Sequence, residues 1–511
     1  VERLRDEMLY TGQPLDLKPL RTARRRQMDD RTRRGELNAK FSPGALLDLE
    51  YAVMLLQVAS GANKSQLRTP FIREALERLK IEGLLAPDQT TRLVESYEFL
   101  RRLINSLRML RGSALDLFLP EPSSDEYLHL ARRMGYARDE ELTPVQKLRL
   151  DFDTHTAFVR AFVEEHFGRE ILPVPEVGNI ADLILSDALS REEAGEILSR
   201  SGFKNAERAL VNLRSLAGSG SSPISFARLA VLAADFLKAQ PDPDMALNNW
   251  ERFSGALEDP EEHFRLLLSQ PKRLDILLKI FAGSQFLSDS LIRDPEFFEW
   301  ATKPEHLHTF RRRDQVEAVF KPLSPATVPV ERWRDDLRRF KRREILRIGI
   351  RDICLDAPIE EVMEELSNLA EALLQVELER LWELLGAGDR GEAFCVIAFG
   401  KLGGGELNYS SDIDLLAISA DPLDEPREEL FKEVMNSLRR DLSTHTQEGA
   451  AYRVDLRLRP FGRSGELVSS VASLLRYYRR QAAVWELQAL LKARPVAGNR
   501  RVGEAFLCEC R

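Results

Sequence analysis

The sequence predicts a mostly helical protein that carries one α/β domain late in the 511-residue chain. Two observations support this fold class. Long stretches before residue 388 repeat apolar residues at steps of three and four, which is the spacing of one helix face. After residue 391 the pattern changes to short apolar runs between glycines, which is typical of buried strands.

Two segments show the helical spacing over many turns. In residues 92–112 leucines and a tyrosine recur on one face, and Gly112 follows as an expected stop. Residues 143–168 repeat the pattern between a Thr-Pro start and a Gly stop. We expect both to be amphipathic helices. The arginine clusters at 24–26 and 338–343 are interpreted as solvated helix faces.

Proline-rich and glycine-rich stretches divide the chain. ILPVPEVGN at residues 171–179 predicts a domain boundary, and GSGSSP at 218–223 predicts a flexible loop. The length exceeds that of one ordinary core, so several domains are expected. We divide the chain into a helical bundle at 1–172, a helical linker region at 173–325, and an α/β domain with N-terminal helices at 326–511.

Three short patterns predict the strands of the α/β domain. AFCVIAFG and DIDLLAIS are apolar runs of strand length, rich in β-formers. AYRVDLRLRP, at residues 451–460, alternates strictly, with apolar residues on one side and Asp455, Arg457 and Arg459 on the other. We therefore expect a small mixed sheet with at least three strands around helices.

Composition limits the classes of function. Charged residues make up 31% of the chain and hydrophobic residues 43%, with a net charge of −8. The acidic balance argues against a protein that coats nucleic acid, so no nucleic-acid partner is expected. The four cysteines lack CxxC spacing, and we find neither a secretory signal nor an apolar run near the roughly 18 residues of a membrane span. We expect a cytoplasmic protein with reduced thiols and no membrane partner.

A pair of aspartates opens the second predicted strand. On a strand, residues i and i+2 face the same way, so Asp412 and Asp414 share one face. Adjacent carboxylates repel unless a cation lies between them, and oxygen ligands suit Mg²⁺. Asp455 becomes a third carboxylate if its strand is the neighbour. The alternative is an Asp-x-Asp pattern without a metal, as at 151–153 on a predicted helix.

The glycine-rich loop before this pair has two interpretations. It is not a Walker A motif, because Leu402 follows Gly400-Lys401 where that motif has Ser or Thr. Its glycines allow close approach of the backbone to phosphate, and free N–H groups there bind anions. The alternative is a strand-to-helix turn that binds no ligand.

Three motifs carry a resemblance to a known family. They are FGKLGGGELNYSSDIDLLAI, YRVDLRLRPFGRSGELVSS and WELQALLKARPVAG, in this order. Together they resemble the glutamine synthetase adenylyltransferase/adenylyl-removing enzyme, a family of the DNA polymerase β-like nucleotidyltransferase superfamily. The resemblance implies a nucleotidyltransferase core with a small mixed sheet, combined with helical bundles.

The resemblance covers nearly the whole chain in an offset frame. The family carries two units, each a core followed by a helical bundle. Residues 38–57 resemble the segment that follows a core, so 1–172 is expected to be the tail of a first family unit. Residues 284–300 resemble the start of a second unit, within 173–325, and 326–511 would hold its core. One complete set of site residues is expected.

The resemblance also implies roles for individual residues. Asp412, Asp414 and Asp455 match the catalytic acids that bind Mg²⁺. Glu486 and Arg494 of the third motif are candidate contacts on the nucleotide side. The implied nucleotide-binding residues are Gly400, Lys401, Gly403, Gly404, Ser411, Arg457, Arg459 and Lys492. From the side on which they lie, Arg457 and Arg459 are explained equally well as a row of charges on the protein surface.

The implied activity is Mg²⁺-dependent transfer of AMP from ATP to a tyrosine of glutamine synthetase, which regulates nitrogen assimilation. Glutamine synthetase and a PII-type signalling protein are the implied partners. Chain order favours the transferring core, although GGELNYSSDIDL fits the core that removes AMP by phosphorolysis. Two other classes stay open: a nucleotidyltransferase with a different acceptor, and a non-catalytic helical regulatory fragment.

Overall fold

A computed structural model of the chain divides into two compact units, Val1–Arg293 and Asp294–Arg511, called here the N-terminal and the C-terminal unit. The proposed three-part division at residues 172 and 325 stays a prediction, and the proline-rich break falls largely on residues outside the described part of the chain. The residues that the structure describes are 2–12, 16–33, 35–113, 116–139, 141–168, 178–186, 189–218, 223–324, 327–420 and 422–510.

The described part of the N-terminal unit is built from helices, with one short 3₁₀ turn at Ser65–Leu67. The predicted flexible loop at 218–223 lies mostly outside the described residues. The helices are α1 (Glu2–Leu9), α2 (Leu17–Arg31), α3 (Leu46–Ser60), α4 (Ile72–Ile81), α5 (Pro87–Arg111), α6 (Asp125–Arg133), α7 (Pro144–Phe167), α8 (Asp182–Leu185), α9 (Arg191–Arg200), α10 (Ala206–Gly218), α11 (Pro223–Lys238), α12 (Pro243–Ser254), α13 (Pro260–Ser269), α14 (Pro271–Gly283) and α15 (Gln285–Arg293).

The two helices expected from their spacing are confirmed as α5 and α7. Helix α5 ends at Gly112, whose φ of +61° is a left-handed conformation that glycine adopts without steric cost. Helix α7 begins with a capping box, in which the Thr143 side chain accepts from the Gln146 N–H. Their apolar faces pack together through residues such as Leu103 of α5 and Phe152 of α7.

The C-terminal unit combines helices with one sheet. Its 3₁₀ turns are Gly388–Ala393, Gly462–Ser464 and Leu490–Lys492. The strands are β1 (Phe394–Phe399), β2 (Ile413–Ser419), β3 (Val454–Asp455), β4 (Val468–Ser470) and β5 (Arg494–Gly498). The helices are α16 (Glu296–Ala301), α17 (Pro304–Leu307), α18 (Arg313–Phe320), α19 (Val330–Leu355), α20 (Ile359–Leu384), α21 (Gly400–Gly403), α22 (Glu425–Ser443), α23 (Val471–Arg480), α24 (Val484–Ala489) and α25 (Arg500–Cys510).

The sheet has the order β3-β2-β1-β5, and β4 also pairs with β2. Strand β1 is antiparallel to β2 and to β5, while β3 and β4 are both parallel to β2. Strands β3 and β4 therefore form one interrupted edge, and a loop over 456–467 leaves the sheet between them. Mostly helical structure with one small mixed sheet confirms the expected fold class.

The alternating segment at 451–460 is not the long strand that its pattern predicts. Only Val454–Asp455 pairs with β2, and the chain turns immediately afterwards. Arg459 maintains this turn by donating to the backbone carbonyls of Leu456 and Gly465, at 2.7 and 2.9 Å. Arg457 and Arg459 therefore do not share a strand face with Asp455.

The arginine clusters are not solvated throughout, so that interpretation was wrong in part. Arg24 is buried and donates to the Asp48 carboxylate at 2.6 Å, although Arg25 and Arg26 are exposed. Arg338, only 2% exposed, donates to the carbonyl oxygens of Asp441 and Gly449 at 2.8 Å each. These contacts satisfy one backbone carbonyl in the last turn of α22 and one in the segment that follows it.

The C-terminal unit also contains a buried network of opposite charges between α19 and α20. Glu365 accepts from the Arg311 backbone N–H at 2.9 Å and from the Arg347 guanidinium at 2.7 Å, and it also pairs with Arg351. Glu344 pairs with the same Arg347 at 2.9 Å. Buried charges persist only when they are paired and hydrogen-bonded, and this network meets both requirements. Over the described residues, no helix is both long and apolar enough to cross a membrane.

Candidate active site

The aspartates singled out from the sequence lie on two neighbouring strands, at the start of β2 and at the end of β3. Asp412 directly precedes β2, and Asp414 is its second residue. Parallel pairing of β2 with β3 places Asp414 opposite Asp455 in register. Asp455 is therefore on the adjacent strand, as the hypothesis of a third carboxylate required. Two chain segments more than forty residues apart bring these acids together.

The electrostatics of the three carboxylates differ. Burial raises the pKa of Asp414, and the negative charges of Asp455 and Asp412 raise it further. Asp412 is more exposed and pairs with the guanidinium of Arg453. Hydrogen bonds from Arg457 lower the pKa of Asp455, at N–O distances of 2.8 and 3.0 Å from its Nε. Asp414 is thus the carboxylate whose charge is least compensated.

The fit of these residues to a cation can be judged from their chemistry. Within the described ranges, no three Asp, Glu, His or Cys side chains converge as a ready metal-ligand set. Two of the three carboxylates instead contact arginines. Oxygen donors at adjacent backbone positions, with one charge left uncompensated, suit a hard divalent cation such as Mg²⁺. Such binding requires Arg453 and Arg457 to release their carboxylates.

The glycine loop forms a single helical turn, α21, between β1 and the aspartates. Gly400 has a φ of +57°, and a Cβ there would lie 2.8 Å from Asp414 Oδ2. Gly403 is packed even more closely: its Cβ would lie 2.0 Å from the Lys492 carbonyl oxygen and 2.6 Å from that of Ala398. These glycines are needed because backbone and carboxylate approach where any side chain would collide.

Replacing Gly403 by Ala is expected to destabilise the C-terminal unit by about 1–3 kcal/mol, because a buried methyl must displace backbone on two sides. Gly404→Ala is the matched control. Gly404 has an ordinary φ of −73°, and a Cβ there would first meet the flexible Lys492 side chain, at 3.3 Å. Urea unfolding should show a loss for Gly403→Ala only. Equal losses for both variants would contradict this packing argument.

The other residues that were predicted to bind the nucleotide differ in their exposure and in their contacts. Lys401 is exposed at the start of the turn, and Ser411 lies directly before Asp412. Lys492 pairs with Glu406 at 2.5 Å, at the edge of the glycine loop. Arg459 is committed to backbone carbonyls of its own loop, so its position favours a structural role over phosphate contact.

The third motif contacts the glycine turn from the other side. Arg494, at the start of β5, donates to the carbonyl oxygens of Gly403 and Leu402 at 3.0 and 2.9 Å. Glu486 accepts from the Tyr477 hydroxyl and from a backbone N–H at the start of α24, so it is held by structural bonds.

Sequence reasoning missed Arg453 and Glu371. Arg453 lies within the alternating segment, on the same side as Asp455, but nothing in the sequence assigned it a role at the site. Glu371 lies on α20 and pairs with Arg494 at 2.5 Å, more than a hundred residues along the chain. No local pattern could identify that contact.

A glycine turn, followed by an Asp-x-Asp strand that pairs in register with a third aspartate, is the arrangement that the resemblance implies for a nucleotidyltransferase site. Comparison with known proteins shows which families this chain is similar to. Residues 274–509 match the model of glutamate-ammonia ligase adenylyltransferase, and residues 18–167 match that of GlnD PII-uridylyltransferase.

Curated relatives bear the name bifunctional glutamine synthetase adenylyltransferase/adenylyl-removing enzyme. The chain is 29% identical to that of Aromatoleum aromaticum over 494 residues, 93% of this chain and 50% of the relative. The relative from Ralstonia nicotianae is 30% identical, over 92% of this chain and 50% of the relative. The relative from Corynebacterium diphtheriae is 29% identical, over 92% of this chain and 45% of the relative. The chain spans about half the length of these relatives. The resemblance inferred from the motifs is therefore confirmed.

Proposed function

We propose that this chain transfers AMP from ATP to a tyrosine of glutamine synthetase. The observation that supports this most directly is the in-register pairing of Asp414 with Asp455 beside the glycine turn. That pairing lies inside the segment matched by the adenylyltransferase model. In the reaction, the tyrosine oxygen forms a bond to the α-phosphorus, the bond from that phosphorus to the bridging oxygen breaks, and pyrophosphate leaves.

The chain's own residues would supply mainly positioning and charge. Asp412, Asp414 and Asp455 would hold Mg²⁺, which when bound neutralises the triphosphate and the leaving pyrophosphate. The close-packed glycine turn would present backbone N–H groups to the phosphates. Arg457 is exposed and bonds Asp455 here, and it would contact phosphate if Asp455 bound the cation instead. Such an arrangement lowers the barrier by orientation and by electrostatic stabilisation.

The names of the relatives favour a second candidate, the removal of AMP from adenylyl-tyrosine. In that reaction inorganic phosphate attacks the phosphorus of the adenylyl group, and ADP leaves. The same carboxylates and glycine turn would serve it. The match of residues 18–167 to a PII-uridylyltransferase model supports a PII-type signalling protein as a regulatory partner. We place the reaction in the cytoplasm, consistent with four cysteines that form no disulfide in the described part of the chain.

Transfer of label from [α-³²P]ATP to purified glutamine synthetase tests the proposal. We expect label on the acceptor in the presence of Mg²⁺ and none when [γ-³²P]ATP replaces the α-labelled nucleotide, because the β- and γ-phosphates leave. Release of ADP from adenylylated glutamine synthetase with phosphate, without forward transfer, would assign the removing reaction instead. A folded chain that performs neither reaction would contradict both assignments.

A further inference from the structure

The glycine turn is braced from outside the site by one side chain of the third motif. Arg494 bonds two carbonyl oxygens at the end of the turn, those of Leu402 and Gly403. The same guanidinium pairs with Glu371 Oε1 at 2.5 Å. Because an arginine fork is rigid and planar, one end held by a carboxylate fixes where its other N–H groups point.

Glu371 is a firm anchor for this brace. The carboxylate is 3% exposed and lies in the middle of the long helix α20. Its second oxygen pairs with Arg500 at 3.1 Å, and Arg313 lies 3.7 Å from that oxygen. One turn further along α20, Gln375 accepts from the Gly498 N–H at 3.0 Å, so the helix holds β5 at both ends.

We propose that Arg494 is a positioning residue that sets the glycine turn for ATP through its bond to Glu371. The inference rests on the proposed function, because that function gives the turn its role beside the triphosphate. Arg494 bonds the carbonyl oxygens of Leu402 and Gly403, so it acts through the backbone of the turn. Its guanidinium and the close contact of Gly403 with the Lys492 carbonyl secure the turn against the third motif. The third motif thus supports the site through this arginine.

The chain provides a matched control for this role. Arg500 pairs with the same carboxylate as Arg494, from the start of α25, and the two side chains are 45% and 38% exposed. No bond from Arg500 to the glycine turn is recorded among the described residues. Arg500→Met therefore removes a positive charge from beside Glu371 and leaves the bonds between Arg494 and the glycine turn in place. Arg494→Met removes a positive charge from beside Glu371 and also removes those bonds.

Two measurements on the full chain test the inference. Amide hydrogen exchange over 400–405, relative to β1, should rise about tenfold or more in Arg494→Met and less than twofold in Arg500→Met. The Kd of a fluorescent ATP analogue should rise about tenfold in the first variant only, the size of loss typical when a supporting hydrogen bond is removed. Arg494→Lys keeps the charge and a single donor, so it should recover part of both losses. In label transfer, Arg494→Met should raise KM for ATP more than it lowers kcat.

Equal changes in the two Met variants, or unchanged exchange over 400–405 in Arg494→Met, would overturn the inference. If Arg494→Met proves globally unstable, Arg494→Lys against Arg500→Met gives the same comparison. Failure of the proposed function has a separate signature. The wild-type chain would then transfer no label to glutamine synthetase, while the contrast in exchange at the glycine turn would still decide whether the brace exists.

Discussion

Replacing Asp414 by Asn is expected to lower AMP transfer by on the order of 10³-fold while the protein stays folded. The half-buried Asp414 stands opposite Asp455 on the neighbouring strand, with the turn at Gly400 against its carboxylate. Asn keeps the shape and removes the charge that would bind a cation. Because both Asp412 and Asp455 have arginine partners here, Asp414 carries the uncompensated charge of the site.

The same variant should be at least as stable as the wild type near pH 7. The pKa of Asp414 is raised in the folded chain by burial and by the neighbouring carboxylates. Above that raised pKa, the ionised form therefore reduces stability, because the unfolded chain gives up its proton more readily. Neutral Asn removes this penalty, so activity and stability should change in opposite directions.

Label transfer, binding of Mn²⁺ as a probe for Mg²⁺, and thermal unfolding check this prediction together. The apparent affinity for Mn²⁺ should fall with the transfer rate. Asp125→Asn, an exposed site in the first turn of α6, serves as the control and should change none of the three. Transfer by Asp414→Asn at a rate close to that of the wild type would remove the carboxylate from the mechanism.

The largest effect on stability is expected for Glu365→Ala, at about 3–5 kcal/mol. Glu365 is 1% exposed and bonds the guanidinium groups of both Arg347 and Arg351, as well as the N–H of Arg311. Removing it takes one carboxylate partner from each of two buried guanidinium groups, those of Arg347 and Arg351, and leaves Arg347 with Glu344 and Arg351 with Glu361. Desolvation of the buried positive charge is then offset less completely, which makes this loss larger than the loss of an ordinary contact.

Glu361→Ala is the natural comparison, because Glu361 pairs with the same Arg351 at 2.9 Å but is 44% exposed. Exposed ion pairs contribute little, so we expect its cost to stay within about 1 kcal/mol. Urea unfolding followed by near-UV circular dichroism would measure both. Losses of similar size would mean that burial does not set the energetics of this network.

The fold class and the aspartates could be predicted from the sequence because both leave local patterns. Apolar spacing of three and four identified α5 and α7, and short apolar runs identified β1 and β2. Alternation put Asp455 on the polar side of its segment, and the condition that this segment neighbours β2 is met in the structure.

The same alternation misled beyond Asp455. The Arg459 guanidinium bonds carbonyls of its own loop and turns the chain, a contact that the order of polar and apolar residues does not reveal. Arg338 was misjudged for a related reason, since its partners lie about a hundred residues away. Patterns predict elements, whereas the burial of charge depends on partners distant in the sequence.

The pairing of β1 with β5 has a consequence for the order in which the protein is made. Cys395 lies opposite Gly498 in this pairing. About a hundred more residues must therefore be synthesised after β1 before β5 can pair with its second edge. Pairings between strands that are distant in the sequence form slowly. On the ribosome, Asp414 and Asp455 can pair before Arg494 emerges. In a nascent chain the acidic residues would therefore come together before Arg494 supports the glycine turn. The site would be complete only after β5 leaves the ribosome.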